Sequence, residues 1–328
     1  MNRIIISTFL IINIIYGINP PQNGNFPDGF WEKMRQQDIG LNYGDPGWVN
    51  KISNQINDPS RDTQLEFNIP VLLGKYSDAS NTYFSASDYQ NMLFGTNPTG
   101  SMKTYYNEIS YGNFQVDGSA GGWYQSSLTM SQAVENTRQY VAEIAALADP
   151  DFDYGQYDND GPDNVPNSGD DDGFTDGIIV VFPGCMSGND NIWPHQSSLS
   201  SYEYVTNDVS ANGGNITIST YMVCPELPGS SGSCVTSEIC PMGVYAHEFG
   251  HVLGLPDLYD RDDSDGNSEG LGEWCLMASG SWMGWYGDTP SHMSSWCKIQ
   301  MGWMEATVLN NSTTAVEIPQ LVTSPFAL

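Results

Sequence analysis

Two histidines four residues apart flank a glutamate in His247-Glu248-Phe249-Gly250-His251, and this segment constrains the fold more than any other. A helix brings positions i and i+4 onto one face, so both imidazoles can point a nitrogen at one metal ion. Glu248 lies beside the first histidine and can reach the open coordination position, where a carboxylate can accept a proton from water. Val252 and Leu253 continue the apolar helix face, and Gly254 stands where a glycine can end a helix in a left-handed turn. Asp257 follows three residues later, close enough for the redirected chain to bring it back. Only four histidines occur in the chain, and a merely structural pair would not explain two of them flanking a glutamate.

The full pattern reads His-Glu-x-x-His-x-x-Gly-x-x-Asp, the extended zincin signature with aspartate in place of a third histidine. Zinc suits two neutral imidazoles and a carboxylate, so His247, His251 and Asp257 are the expected ligands and Glu248 the expected catalytic base. Glu269 or Glu273 would be the third ligand in the class that recruits a distal glutamate, and Asp260 is a nearer rival. The spacing after Gly254 favours Asp257. Downstream, Leu276-Met277-Ala278 offers a methionine at a tight turn, where such enzymes place an apolar floor under the zinc. His195 and His292 read first as structural hydrogen-bonding residues, with binding of a transition-state oxyanion as the alternative. Tyr286 could stabilise a tetrahedral intermediate or simply pack.

Charge narrows the partners. Ten Lys and Arg against 39 Asp and Glu give a formal net charge of −29, which argues against nucleic acid or an anionic membrane surface. Nine Trp, 18 Tyr and 12 Phe argue against disorder. Arg3 followed by the apolar run Ile4 to Ile15 reads as a secretory signal peptide over residues 1–18, cut near Gly17. No other apolar run is long enough to span a bilayer, so a secreted protein without membrane insertion after signal cleavage is expected. Six cysteines in an exported chain favour up to three disulfides, with Cys234 and Cys240 the first pair expected. Asn215, Asn310 and Asn311 begin glycosylation triplets.

Residues 149–176 hold ten Asp, and no Lys or Arg occurs between Gln139 and Asp260. Asp158 and Asp160, and Asp170 and Asp172 with Asp176 beyond them, place carboxylates two apart around glycine turns, an arrangement that supplies the oxygens calcium wants. The segment leads directly into the buried strand at Ile178, and like charges packed that closely repel unless a cation sits among them. The run Asp260, Asp262, Asp263 and Asp265 could hold a second ion.

Residues 19–65 form a polar N-terminal segment or short pro-segment, with a helical candidate at Phe30 to Gln37. Strand candidates follow at Phe67 to Gly74, Asn113 to Val116, Gly122 to Tyr124 and Ile178 to Phe182. Helical candidates run over Ser101 to Tyr106 and from a capping box at Thr129 and Gln132 through Ala148. Strands and helices alternating in this order predict an α/β (α+β) core with a mixed twisted sheet. Beyond residue 305 come short β-prone pieces, the expected start of a β-rich C-terminal extension over 306–328.

The segment from His247 to Asp260, followed by Trp274-Cys-Leu-Met277-Ala-Ser-Gly-Ser-Trp282, resembles the M6 family of secreted metallopeptidases, the immune inhibitor A type. Tyr105-Tyr106-Asn-Glu-Ile-Ser110-Tyr-Gly, Ile192-Trp193-Pro-His195 and Pro290-Ser-His292 to Trp303 match family segments in the same order. The resemblance covers about residues 66–305. It implies a metzincin-like zinc endopeptidase domain acting on proteins or peptides, with a Met-turn at Met277. A catalytically inactive, calcium-stabilised binding or adhesion module of the same fold is the alternative.

Overall fold

The apolar run that opens at Leu65 forms a strand buried on both faces, which is why it carries so little alternation. In chain order the strands are β1 (Leu65–Lys75), β2 (Phe114–Gln125), β3 (Phe174–Thr175), β4 (Ile178–Met186), β5 (His195–Ser198), β6 (Tyr204–Val209), β7 (Asn215–Ile218), β8 (Thr220–Ser230) and a two-stranded pair, β9 (Glu305–Ala306) and β10 (Phe326–Ala327). The computed structural model describes residues 64–98, 100–186, 191–230, 233–260, 268–306 and 326–327. The signal segment, the helical candidate at Phe30 to Gln37, Asp262, Asp263, Asp265, Asn310 and Asn311 lie outside the described residues.

The main sheet has the order β2-β1-β4-β8-β5. β1 pairs in parallel with β2 and β4, and β4 with β8, whereas β5 runs antiparallel to β8 with His195 opposite Val223. The sheet is therefore mixed, as the alternation of elements predicts. β3, β7 and β6 form a separate small sheet. Period-two alternation divides the core. Val71, Leu73, Ile179, Val181, Met222 and Cys224 join one apolar cluster, while Leu72, Ile178, Val180, Phe182 and Val223 join the other.

The second cluster is closed by Tyr140, Val141, Ile144 and Ala145 of the helix Thr137–Ala148. The predicted continuous helix from Thr129 is in fact two, Met130–Glu135 and Thr137–Ala148. Asn136 breaks it: its backbone leaves the helical region and its side chain caps the second helix by accepting from Gln139 N–H. The two short strands expected at residues 113–116 and 122–124 are likewise one strand, β2. Gly118 lies inside it because a Cβ there would come within 2.0 Å of the Ile69 carbonyl oxygen.

The first cluster is closed by the helix Met242–Val252, every residue of which is buried. Phe249 meets Phe67 and Tyr106 edge-on with ring centroids 5.0 Å apart, and the Tyr106 hydroxyl donates to Ala246 O at 2.7 Å. Burying one such phenylalanine is worth about 1.5–3 kcal/mol, so these contacts fix the rotation of the helix that carries the two histidines. Among the described residues no helix is long and apolar enough to cross a membrane.

The disulfide differs from expectation. Cys234 is bonded to Cys185 at the end of β4, not to Cys240. Cys240 N–H donates to Glu226 O, which draws Cys240 into the core ahead of Pro241 while Cys234 stays exposed.

Candidate metal centre

The helix delivers its histidines to one point. His247 Nε2 and His251 Nε2 lie 3.1 Å apart, on consecutive turns of one buried face. Gly254 then takes φ +92, and its N–H donates to His251 O while Leu255 N–H donates to Gly250 O. That left-handed residue reverses the chain, as a side chain at this position would do only with strain. The return brings Asp257 Oδ1 to 3.2 Å from His247 Nε2 and 3.1 Å from His251 Nε2.

Backbone carbonyls hold the far side of each ring. His247 Nδ1 donates to Leu276 O at 2.8 Å and His251 Nδ1 donates to Leu255 O at 2.7 Å. With the protons committed to Nδ1, both Nε2 lone pairs and a carboxylate oxygen face one another. Such a set repels itself unless a cation or extra protons occupy the middle. Ligands about 2.0–2.1 Å from a tetrahedral zinc sit about 3.3–3.4 Å apart, so the triangle needs to open only slightly to hold one. Tyr259 completes the arrangement by donating its hydroxyl to Asp257 Oδ2 at 3.0 Å. Burial works against ionisation of Asp257; when extra protons fill the middle in place of a metal, the charged, donating histidines outweigh burial and hold the carboxyl down to about 2.

Glu248 follows His247 on the same turn and is fully buried. Cys224 of β8 stands close to it: burial pushes that thiol up, and the Glu248 charge pushes it further. Beneath the helix, Met277 packs against Gly250 so tightly that a Cβ on Gly250 would lie 2.5 Å from its Sδ. Met277 O accepts from Leu258 N–H at 2.7 Å, so one turn supports the first histidine through Leu276 and the aspartate loop through Leu258. Among the described residues this donor cluster comprises His247, His251 and Asp257. Glu269 and Glu273 are exposed, and Asp260 is half-buried outside it.

The family model of the immune inhibitor A peptidase M6 catalytic domain matches residues 62–304. The chain belongs to this family. Among curated relatives, the M6 chain is 31% identical over 254 residues to the pre-pro-metalloprotease PrtV of Vibrio cholerae serotype O1, covering 66% of this chain and 26% of the relative. It is 27% identical over 276 residues to immune inhibitor A of Bacillus thuringiensis subsp. alesti, covering 72% of this chain and 37% of the relative. The M6 chain thus spans well under half the length of these relatives.

A second acidic cluster of the M6 chain gathers Asp158, Asp160 and Asp171. Asp171 was not singled out by its spacing, because it is the odd member of the run Asp170-Asp171-Asp172. Asp158 is buried, and its Oδ1 has no hydrogen-bond partner. Burial raises its carboxyl to about 7, with Asp171, Asp172 and Asp160 adding repulsion. Asp176 instead accepts from Asn159 N–H and Nδ2, Asp172 Oδ1 accepts from Phe174 N–H, and Asp170 Oδ1 accepts from the Ser168 hydroxyl.

The remaining candidates lie in other surroundings. His195 is buried on β5, with Nδ1 2.7 Å from Trp193 O and Nε2 3.2 Å from the Tyr221 hydroxyl. His292 sits between Glu108 Oε1 at 3.2 Å and Lys298 Nζ at 3.3 Å. Tyr286 is half-buried with its ring 5.0 Å from Trp285. Sequence reasoning missed Tyr259, whose place two residues after Asp257 was the available signal.

Proposed function

We propose that this M6 chain is a secreted zinc endopeptidase in which His247, His251 and Asp257 hold the metal and Glu248 is the general base. The observation that carries the reading is the triangle of Nε2, Nε2 and Oδ1 at 3.1–3.2 Å, with both Nδ1 protons committed to carbonyls. When bound, zinc supplies Lewis acidity to the attacking water and the scissile carbonyl. Glu248 accepts the proton of the water as it attacks, then delivers it to the leaving amine nitrogen. Leu276 O and Leu255 O keep each imidazole in one tautomer, and Tyr259 keeps one carboxylate oxygen aimed at the metal. Substrates are proteins or peptides. Secretion rests on the Arg3 to Ile15 signal pattern and on the Cys185–Cys234 disulfide, which suits an oxidising compartment.

Calcium is the second cofactor we propose, at Asp158, Asp160 and Asp171. The support is Asp158 Oδ1, a buried oxygen without a hydrogen-bond partner in a cluster of like charges.

Casein digestion by the purified protein, with and without a zinc-selective chelator, tests the reading. Digestion should stop with the chelator and return with zinc. Glu248→Ala should lose about 10² to 10⁴ in rate while keeping its zinc. Zinc content near one per chain without hydrolysis by the wild type would instead indicate an inactive binding module.

A further inference from the structure

We propose that Cys275 and Cys297 close a second disulfide, which clamps the turn beneath the metal site to the helix Ser295–Gln300. Their Sγ atoms lie 4.0 Å apart, in van der Waals contact, and both residues are fully buried. Ser294 aligns the pair: its N–H donates to Cys275 Sγ at 3.3 Å and its hydroxyl to Cys297 Sγ at 3.4 Å. A disulfide needs its sulfurs at about 2.05 Å, so this pair has about 2 Å left to close. The same chain carries one disulfide already, Cys185–Cys234.

The location gives the bond a consequence. Cys275 precedes Leu276, whose carbonyl holds the His247 ring, and Met277, whose carbonyl holds Leu258, the residue after Asp257. Leu276 N–H in turn donates to His292 O, on the approach to the same helix. A covalent link from Cys275 to Cys297 therefore fixes the turn that supports two of the proposed ligands. The tie closes while the chain folds, before both sulfurs are buried, by exchange with an external disulfide RS–SR. The Cys275 thiolate attacks one sulfur and releases RS⁻. Cys297, deprotonated, then attacks Cys275 Sγ and expels the second RS⁻, so two protein thiols and RS–SR become one disulfide and two RSH.

The test begins with full-length protein refolded in oxidised and reduced glutathione. Free thiols are alkylated under denaturing conditions, and the unreduced digest is mapped by mass spectrometry. A peptide linked through Cys275 and Cys297 is expected. Alkylation of both cysteines, or a link from either to another cysteine, overturns the proposal. Mapping reads no activity, so it stands apart from the outcome of the peptidase assay. The clamp is read as the rate of zinc loss to a chromogenic chelator, expected to be several-fold faster in Cys297→Ser and in Cys297→Ala than in wild type. Equal rates would overturn the clamp even with the link present, and if neither variant folds, Cys234→Ser protein, which lacks the exposed Cys185–Cys234 bond, compared before and after reduction gives the same readout.

Discussion

The Tyr259 hydroxyl donates to Oδ2 of Asp257 at 3.0 Å, while Oδ1 of the same carboxylate faces both imidazoles. One oxygen is thus tethered and the other presented. Removing such a partner of a metal ligand typically costs about 10- to 100-fold in metal affinity. Tyr259→Phe should weaken zinc binding by that factor in a chelator competition while leaving the fold intact. Unchanged affinity would mean that the hydroxyl only packs.

Asp257→Ala should empty the site far more thoroughly than Glu269→Ala or Asp260→Ala. Metal analysis of the three purified variants decides it. A zinc-poor Glu269→Ala protein would assign the third ligand to the distal carboxylate.

Two glycines of the site helix should rank in a definite order. A Cβ on Gly243 would lie 2.2 Å from the Ser281 carbonyl oxygen and 2.7 Å from Gly287 O, both backbone atoms. On Gly250 the obstacle is the end of the flexible Met277 side chain. Gly250→Ala should cost about 1–3 kcal/mol by overpacking, and Gly243→Ala more, because the backbone must move. Denaturant titration of both variants checks the order.

His195 gives a dependence on pH. Burial, helped by the Arg138 charge and opposed by the Trp193 carbonyl, lowers its pKa to about 4 in the folded protein. The unfolded chain, with a pKa near 6.5, binds more protons between about pH 4 and 6.5, so stability falls as pH drops through that window. The full effect is about 3 kcal/mol, present above pH 6.5 and lost by pH 4. The difference in unfolding free energy between wild type and His195→Gln should shrink by this amount across the window. Parallel curves would refute it.

Calcium should raise the melting temperature where sodium chloride of equal ionic strength does not. At a hundredfold excess over Kd the stabilisation is about 2.7 kcal/mol. Asp171→Asn should lose most of it and Asp163→Asn little, because Asp163 lies outside the cluster. Equal melting temperatures in the two salts would leave the loop a solvated acidic surface.

The site was more legible in the sequence than the fold around it. Helical periodicity and the glycine at 254 specify that His247, His251 and Asp257 converge, because that depends on local backbone geometry, whereas the distant Leu276 carbonyl that holds the His247 ring was not legible. The sheet order depends on pairings between distant strands, and no local pattern encodes that β5 runs antiparallel beside β8. The same limit applies to Cys234. Its partner Cys185 is 49 residues away, and the short loop to Cys240 looked easier to close. Asp171 escaped because alternation favoured Asp170 and Asp172, whereas the fold of the loop turned the residue between them inward.

His247 and Asp257 are ten positions apart, with His251 between them. Gathering donors over so short a loop costs little closure entropy, whereas assembling them from separate strands would cost more. If these residues are the ligands, as proposed, a denatured chain should retain some affinity for the metal. Affinity for the unfolded state subtracts from the stabilisation that native binding provides. Loss of zinc should accordingly lower the melting temperature by less than its native dissociation constant implies, so thermal stability will be a poor proxy for metal occupancy in this chain.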